Sequence, residues 1–242
     1  MDAEDLQQST SNEKTMGIWE HFNELRQRLF LALMALVIAT AISALFADRI
    51  IQWLAIPLGG ADRLISIEVT ENIGVFMRVS LLSGFIFSLP VILYEILAFI
   101  MPGLTPSERK WVLIAIPVAS ILFASGVAFS YFVMLPVAIP FLVTFLTGVQ
   151  TTPRLSNYIF FVTNMMFWIG IAFETPIVTF VLAKLRIVSP KTLLRYWRVA
   201  VVVIALVSAV LTPTPDPVNM AILMVPLFLI YLISVLFAVL AG

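Results

Sequence analysis

The chain has 242 residues, 61% apolar and 12% charged, with mean hydropathy +1.07; against roughly 45–50% and about 25% in an ordinary globular domain, this is membrane composition. Fourteen basic residues balance fourteen acidic ones, so no net field draws the chain to nucleic acid, and a DNA-binding or disordered reading is excluded. The absence of cysteine and the single histidine, His21, exclude disulfides, thiolate zinc, iron–sulfur clusters, thiol nucleophiles and multi-histidine metal sites.

Residues 1–28 are polar and carry six acids against Lys14, Arg26 and Arg28, unlike the basic leader of a signal peptide. Residues 1–15 lack apolar periodicity and read as a disordered acidic tail. Residues 16–242 read as one membrane domain. Leu29–Ala47 supplies 19 uncharged residues, longer than a signal-peptide core of about 7–15, so this first span is expected to be retained. Residues 48–72, with Pro57, Gly59 and Gly60, hold an apolar stretch too short to cross and should lie on one membrane surface. Ile73–Met101 is the second span. Trp111–Pro153 has 43 residues without a charge, too many for one span; Pro136, Pro140 and Gly148 suggest a third span over 111–135 and an interfacial excursion over 136–157. Tyr158–Ala183 is the fourth span, followed by a basic loop. Val199–Leu211 and Val218–Ala241 are a short fifth and sixth, separated by the TPTPDP turn. The fifth covers only about 20 Å of a hydrocarbon core of about 30 Å.

Six spans, about the most that this length allows, put both termini on one side. Ten Lys and Arg residues flank the spans on the N-terminal side and three, Arg49, Arg63 and Arg154, on the other, which makes the N-terminal side cytoplasmic. Arg78, about five residues inside the second span, is expected to snorkel to the far interface.

Several charged positions have ordinary structural roles open to them. Glu24 is spaced to pair with Arg28 one turn on, worth about 0.3–0.5 kcal/mol on a helix surface. Thr105-Pro106-Ser107-Glu108 is a capping box with proline at the first helical position. Asp216-Pro217 fits a helix N-cap, and His21 an interfacial surface residue. Glu95, about six residues from the end of its span, has no assigned role. Glu174 differs: it lies about 15 Å from Lys184, where a charge costs about 2.5 kcal/mol or more and faces a partner or a wet cavity. Pro176 frees the carbonyl of Ala172, so a kink there offers polar backbone beside the carboxyl.

Four segments together, HFNELRQRL, SLPVILYEILAFIMPGLTPSERK, FETP and LTPTPDP, resemble the TatC family, the polytopic subunit of the twin-arginine protein translocase, in order and spacing from about Ile18 to Leu240. The resemblance implies a concave, glove-like bundle of six helices in a prokaryotic-type inner membrane, with both termini cytoplasmic. It implies that the cytoplasmic face binds signal peptides carrying consecutive arginines, with Glu24 and Glu108 as the acidic recognition residues and Arg26 and Phe99 at the same site. Glu174 becomes an intramembrane polar contact for partners, and Pro57 and Asp216 matching turn positions. The family glutamine early in the sixth helix is replaced here by Asn219-Met220.

The implied function is that of a non-enzymatic receptor and translocase core. It works with TatA/TatB-type single-span partners and further copies of itself to export folded cargo, and it needs no cofactor. The proton gradient is the implied energy source, since no GxxxxGK phosphate loop is present. The alternative, a proton-coupled small-molecule transporter using Glu174, normally shows internal repeats, and none is evident. An intramembrane protease lacks its catalytic set.

Overall fold

The computed structural model describes residues 18–103, 105–144, 152–184, 186–211 and 217–241. The expected tail over 1–15, Asp216 and the TPTPDP turn lie outside the described residues. Among these residues the chain is helical almost throughout: α1 Ile18–Ala44, α2 Ala47–Leu54, α3 Glu71–Ile100, α4 Pro106–Phe129, α5 Leu135–Thr144, α6 Leu155–Phe173, α7 Thr175–Lys184, α8 Pro190–Arg195, α9 Trp197–Leu211 and α10 Pro217–Ala241. Hydrocarbon offers no partners to peptide groups, so helices that satisfy their own backbone are the form such apolar runs take. Among the described residues five segments are long and apolar enough to cross a membrane, and Trp197–Val210 is a shorter apolar helix.

The first two spans agree with the hydropathy reading, although α1 begins at Ile18 and takes in the whole pre-span segment. The third differs. Instead of leaving the helix near Leu135, the chain passes through a π turn at Ser130–Met134 and continues as α5 to Thr144, one run of 36 residues from Arg109. The wider i→i+5 turn just before Pro136 loosens the ladder where the proline ring needs room and lacks an N–H, so the helix bends without ending. At 1.5 Å per residue the run is about 54 Å long, well beyond the hydrocarbon thickness of about 30 Å. The expected excursion over 136–157 therefore begins as helix. The short fifth helix borrows length from Trp197, reaching 15 residues. The sixth is a helix of 25 residues, of which Leu223–Leu240 is the apolar, membrane-capable part.

α1 and α3 run antiparallel, as the pairing of Arg28 with Glu95 and of Thr40 with Gly84 shows. They approach closely at Gly84: a Cβ there would lie 2.6 Å from Thr40 Cα. The main core joins Leu54, Val79, Leu135, Ile159, Ile169 and Leu223. Arg78 turns into this packing instead of snorkelling. Its Nε donates to Thr163 Oγ1 at 2.7 Å, its Nη2 donates to Asn164 Oδ1 at 2.9 Å, and its guanidinium lies 4.0 Å from the Phe160 ring centroid, so it ties α3 to α6.

The segment 48–72 is ordered and pinned. The last carbonyls of α2, which have no partner within the helix, accept hydrogen bonds from tyrosines: Tyr131 Oη donates to Trp53 O and Tyr158 Oη to Leu54 O, both at 2.8 Å. Pro57 lies in the 3-10 turn Ile56–Leu58, which Gly59 ends with φ +102°, a conformation suited to glycine. Beyond it, Leu155 N donates to Ile65 O at 2.8 Å and Ile65 N to Pro153 O at 3.2 Å. The enclosed carboxylate of Glu71 completes the clasp, accepting from Ser156 N at 2.6 Å, Ile67 N at 3.0 Å and Arg154 Nε at 3.0 Å. Ser156 N is one of the orphan donors at the start of α6, so Glu71 caps that helix from another element.

The close approach at Gly84 yields a paired prediction. Gly84→Ala forces the α1 and α3 backbones apart and should destabilise the fold by about 1–3 kcal/mol. Gly74→Ala, with nothing within 4 Å of the added Cβ, should be neutral or stabilising by up to about 1 kcal/mol. Denaturation midpoints of the two variants in the same detergent check the contrast; equal midpoints would contradict it.

Candidate functional site

At the end of the bundle where α1 begins, α3 ends and α4 starts, charged side chains of α1 and α3 form a cluster. Three and four residues are one helical turn apart, so His21, Glu24 and Arg28 share a face of α1, and Glu95 and Phe99 share one of α3. Arg28 lies between two acids: Nη1 is 3.0 Å from Glu95 Oε2 and Nη2 is 3.5 Å from Glu24 Oε1. The expected Glu24–Arg28 pair is thus present but is the longer of the two. His21 Nδ1 lies 3.9 Å from Glu24 Oε2, and its ring stacks on Phe99 with centroids 4.2 Å apart.

The cluster has one cation and two carboxylates, so negative charge is in surplus. Glu24 Oε2 is buried and accepts no hydrogen bond among the described residues, which costs free energy until a donor reaches it. Beside it is a cleft of about 550 Å³ lined by Glu20, Asn23, Glu24, Gln27, Arg28 and Leu31. A smaller apolar cavity of about 210 Å³ lies behind, with Glu95, Phe99 and Ile100 in its wall. Arg28 lines both. A carboxylate with an unused oxygen, next to stacked rings and an open cleft, suits a planar cation, because guanidinium binds carboxylate through a fixed fork.

Of the residues singled out in the sequence, Glu24 and Phe99 come together here. Arg26 lies on the same turn of α1 and is exposed. Glu108 is in the first turn of α4, which starts at this end; its side chain lies outside the described residues. Pro57 is remote, in the clasp at the opposite end. Two members had no assigned role at this site, Glu95 and the stacked His21. A depth argument finds the first: Arg28 and Glu95 lie at similar distances from the same ends of two consecutive antiparallel spans, and opposite charges at equal depth pair.

Glu174 forms a separate feature. It breaks the fourth span into α6 and α7, with its N–H donating to Ile171 O at 3.0 Å. The carbonyl of Ala172, freed by Pro176, is not left as an open polar contact, since Thr175 Oγ1 donates to it at 2.7 Å. Oε1 of Glu174 is buried and has no hydrogen-bond partner among the described residues. Close behind, α4 and α6 are in near backbone contact: a Cβ on Gly126 would lie 2.9 Å from Gly170 Cα.

Residues 20–226 match the family model for the Sec-independent protein translocase protein TatC. A protein of that name from Deinococcus radiodurans is 36% identical over 226 residues, covering 90% of this chain and 84% of its own. A chloroplast counterpart from Arabidopsis thaliana is 35% identical, covering 91% of this chain and 66% of the relative. A crystal structure described as the twin arginine translocase receptor TatC superposes with TM-score 0.76 at 34% identity, covering 92% of this chain and 99% of that one. With its order of apolar helices and with this breadth of similarity, the chain belongs to the TatC family of multi-pass Sec-independent protein translocase proteins.

Proposed function

We propose that this chain is the signal-peptide receptor and core of a twin-arginine translocase in a prokaryotic-type cytoplasmic membrane, with both termini in the cytoplasm. The observation that carries the reading is the surplus carboxylate at the α1/α3 end, where Glu24 holds a buried oxygen without a donor beside an open cleft. A guanidinium of the incoming peptide supplies that donor. Glu108, on the first turn of the adjoining helix, takes the second arginine, and Phe99 and Arg26 border the site. Lysine is a poor substitute in such a ligand, since an ammonium cannot present two parallel donors to one carboxylate.

Once docked, the apolar part of the signal lies along the bundle, and TatA/TatB-type single-span proteins assemble around it with further copies of this chain to pass folded cargo. The energy comes from the proton gradient. No step of this is enzymatic and none requires a metal or cofactor. Glu174 serves the partner: its unsatisfied Oε1 hydrogen-bonds a polar group on a single-span helix, a contact that hydrocarbon makes costly to leave open.

Glu24→Gln or Glu108→Gln should weaken binding of a twin-arginine peptide at least tenfold, about 1.4 kcal/mol, while the protein stays folded and inserted. The unmodified protein should prefer twin-arginine to twin-lysine by a similar factor. A purely structural role predicts instead a stability loss of about 0.5–2 kcal/mol with the arginine preference unchanged. Calorimetric titration of the purified chain with both peptides decides between them, and equal affinity for the two peptides would refute the recognition role.

For orientation, cysteines introduced at Ser66 and Thr151 should react with an impermeant thiol reagent from the non-cytoplasmic side, and those at Ser107 and Thr192 should not. Labelling of position 107 from outside would reverse the assignment. For Glu174, Glu174→Gln should retain partial transport, whereas Glu174→Ala should impair partner crosslinking but leave peptide affinity within about twofold, less than 0.5 kcal/mol. Unchanged crosslinking in Glu174→Ala would confine the carboxyl to packing within this chain.

A further inference from the structure

Arg78 is a cation inside a membrane-capable segment, about 10 Å along α3 from Glu71. A guanidinium has five N–H donors, and two of them are used, on Thr163 and Asn164. Those partners and the Phe160 ring are neutral. Among the described residues no carboxylate lies within ion-pair distance of Arg78. The positive charge and three donors are thus uncompensated at the wall of a cavity of about 350 Å³ whose lining, apart from Arg78 and its partners Thr163 and Asn164, is apolar, Leu36, Phe85 and Phe167 among it. A cation at such a depth calls for an anion.

A second feature adjoins it. Phe160, which carries the guanidinium on its face, and Asn164, which bonds it, also line a groove of about 800 Å³ between α6 and α9. Apart from Thr175, its other walls are apolar, among them Trp168, Leu206 and Val210. Along α6 it runs from Phe160 towards Thr175, about 22 Å, more than the roughly 15 Å depth of one leaflet. Its volume accommodates a single acyl chain.

We propose that Arg78 and this groove bind one anionic phospholipid, its phosphate on the Arg78 fork and one acyl chain between α6 and α9. Charge complementarity selects the headgroup, the guanidinium's paired donors match phosphate oxygens, and the apolar walls select the chain. The lipid belongs to the leaflet at the Glu71 end of the bundle. It fills the space beside α9, the one spanning helix too short to cover its neighbour to full height.

Native mass spectrometry of the full chain, stripped of lipid in mild detergent and titrated with phosphatidylglycerol, tests this. One phosphatidylglycerol should bind per chain, more tightly than phosphatidylcholine. Arg78→Gln should weaken it at least tenfold, with Arg78→Lys intermediate. Val207→Trp, which fills the groove and leaves the Arg78 contacts in place, should weaken it comparably and keeps the test decisive if Arg78→Gln fails to fold. Glycerophosphoglycerol, the headgroup without chains, should not compete at the same concentration; competition would reduce the site to one for free phosphate and overturn the lipid assignment. Unchanged phosphatidylglycerol affinity in Arg78→Gln or in Val207→Trp would also overturn it. So would loss, in Arg78→Gln, of crosslinking to a carboxylate-bearing single-span helix with lipid affinity intact, since the cation would then serve a protein.

Discussion

Hydrocarbon supplies no hydrogen bonds, and every deep polar group in this chain has to find its partner inside the protein. Most do so locally. The hydroxyls of Ser80, Ser120 and Thr163 each donate to a carbonyl one turn back on the same helix, and Thr175 takes the carbonyl that Pro176 leaves free. Among the described residues the hydroxyls of Thr40, Ser43 and Ser130 are also buried without a hydrogen-bond partner, but the ionisable groups left incompletely matched within the spans are the guanidinium of Arg78 and the carboxyl of Glu174. An ionisable group costs far more than a hydroxyl to leave unmatched in hydrocarbon, which is why these two are the places proposed above to take up a lipid and a partner helix.

The two ends of the bundle solve the same problem in opposite ways. Around Glu71 the carboxylate is fully enclosed and accepts from two backbone amides of its own loop, from the start of α6 and from Arg154. Nothing is left over, and the segment 48–72 is locked to α6. Around Glu24 one arginine is shared between two carboxylates and an oxygen has no donor. A completed network holds a structure together, whereas an incomplete one beside a cleft can receive a ligand. Arg28 keeps Glu95 from being an unpaired acid near hydrocarbon while leaving Glu24 available.

The spans were legible because an 18-residue apolar run has few alternatives to a membrane helix, and the acidic residue at the α1 end was legible from the motif around it. What escaped the sequence depended on three-dimensional pairing. Pro136 and Pro140 read as breakers, yet the π turn ahead of them carries the helix through to Thr144. Glu95 had no visible partner because Arg28 is 67 positions away in the chain, although depth along consecutive antiparallel spans places them side by side. Arg78 was expected at the interface because neither Thr163 nor Asn164 signals its role as an acceptor from sequence alone. The Ala172 carbonyl reads as open polar backbone because Pro176 removes its helical donor, whereas the hydroxyl of Thr175 takes that place only once the side chain folds back onto the helix.

The cleft beside Glu24, between the start of α1 and the start of α4, is proposed to receive the arginine pair of a signal peptide. Photo-crosslinking tests it most directly, using a twin-arginine peptide with a photoreactive residue beside the pair and the full chain in membranes. Adducts are expected on both sides of the cleft, at Asn23 or Gln27 on α1 and at Ser107 or Lys110 on α4, and should be lost when the pair is changed to lysines. Adducts at the opposite end, around Glu68 and Arg154, or adducts on α1 and α4 that persist with the twin-lysine peptide, would contradict it.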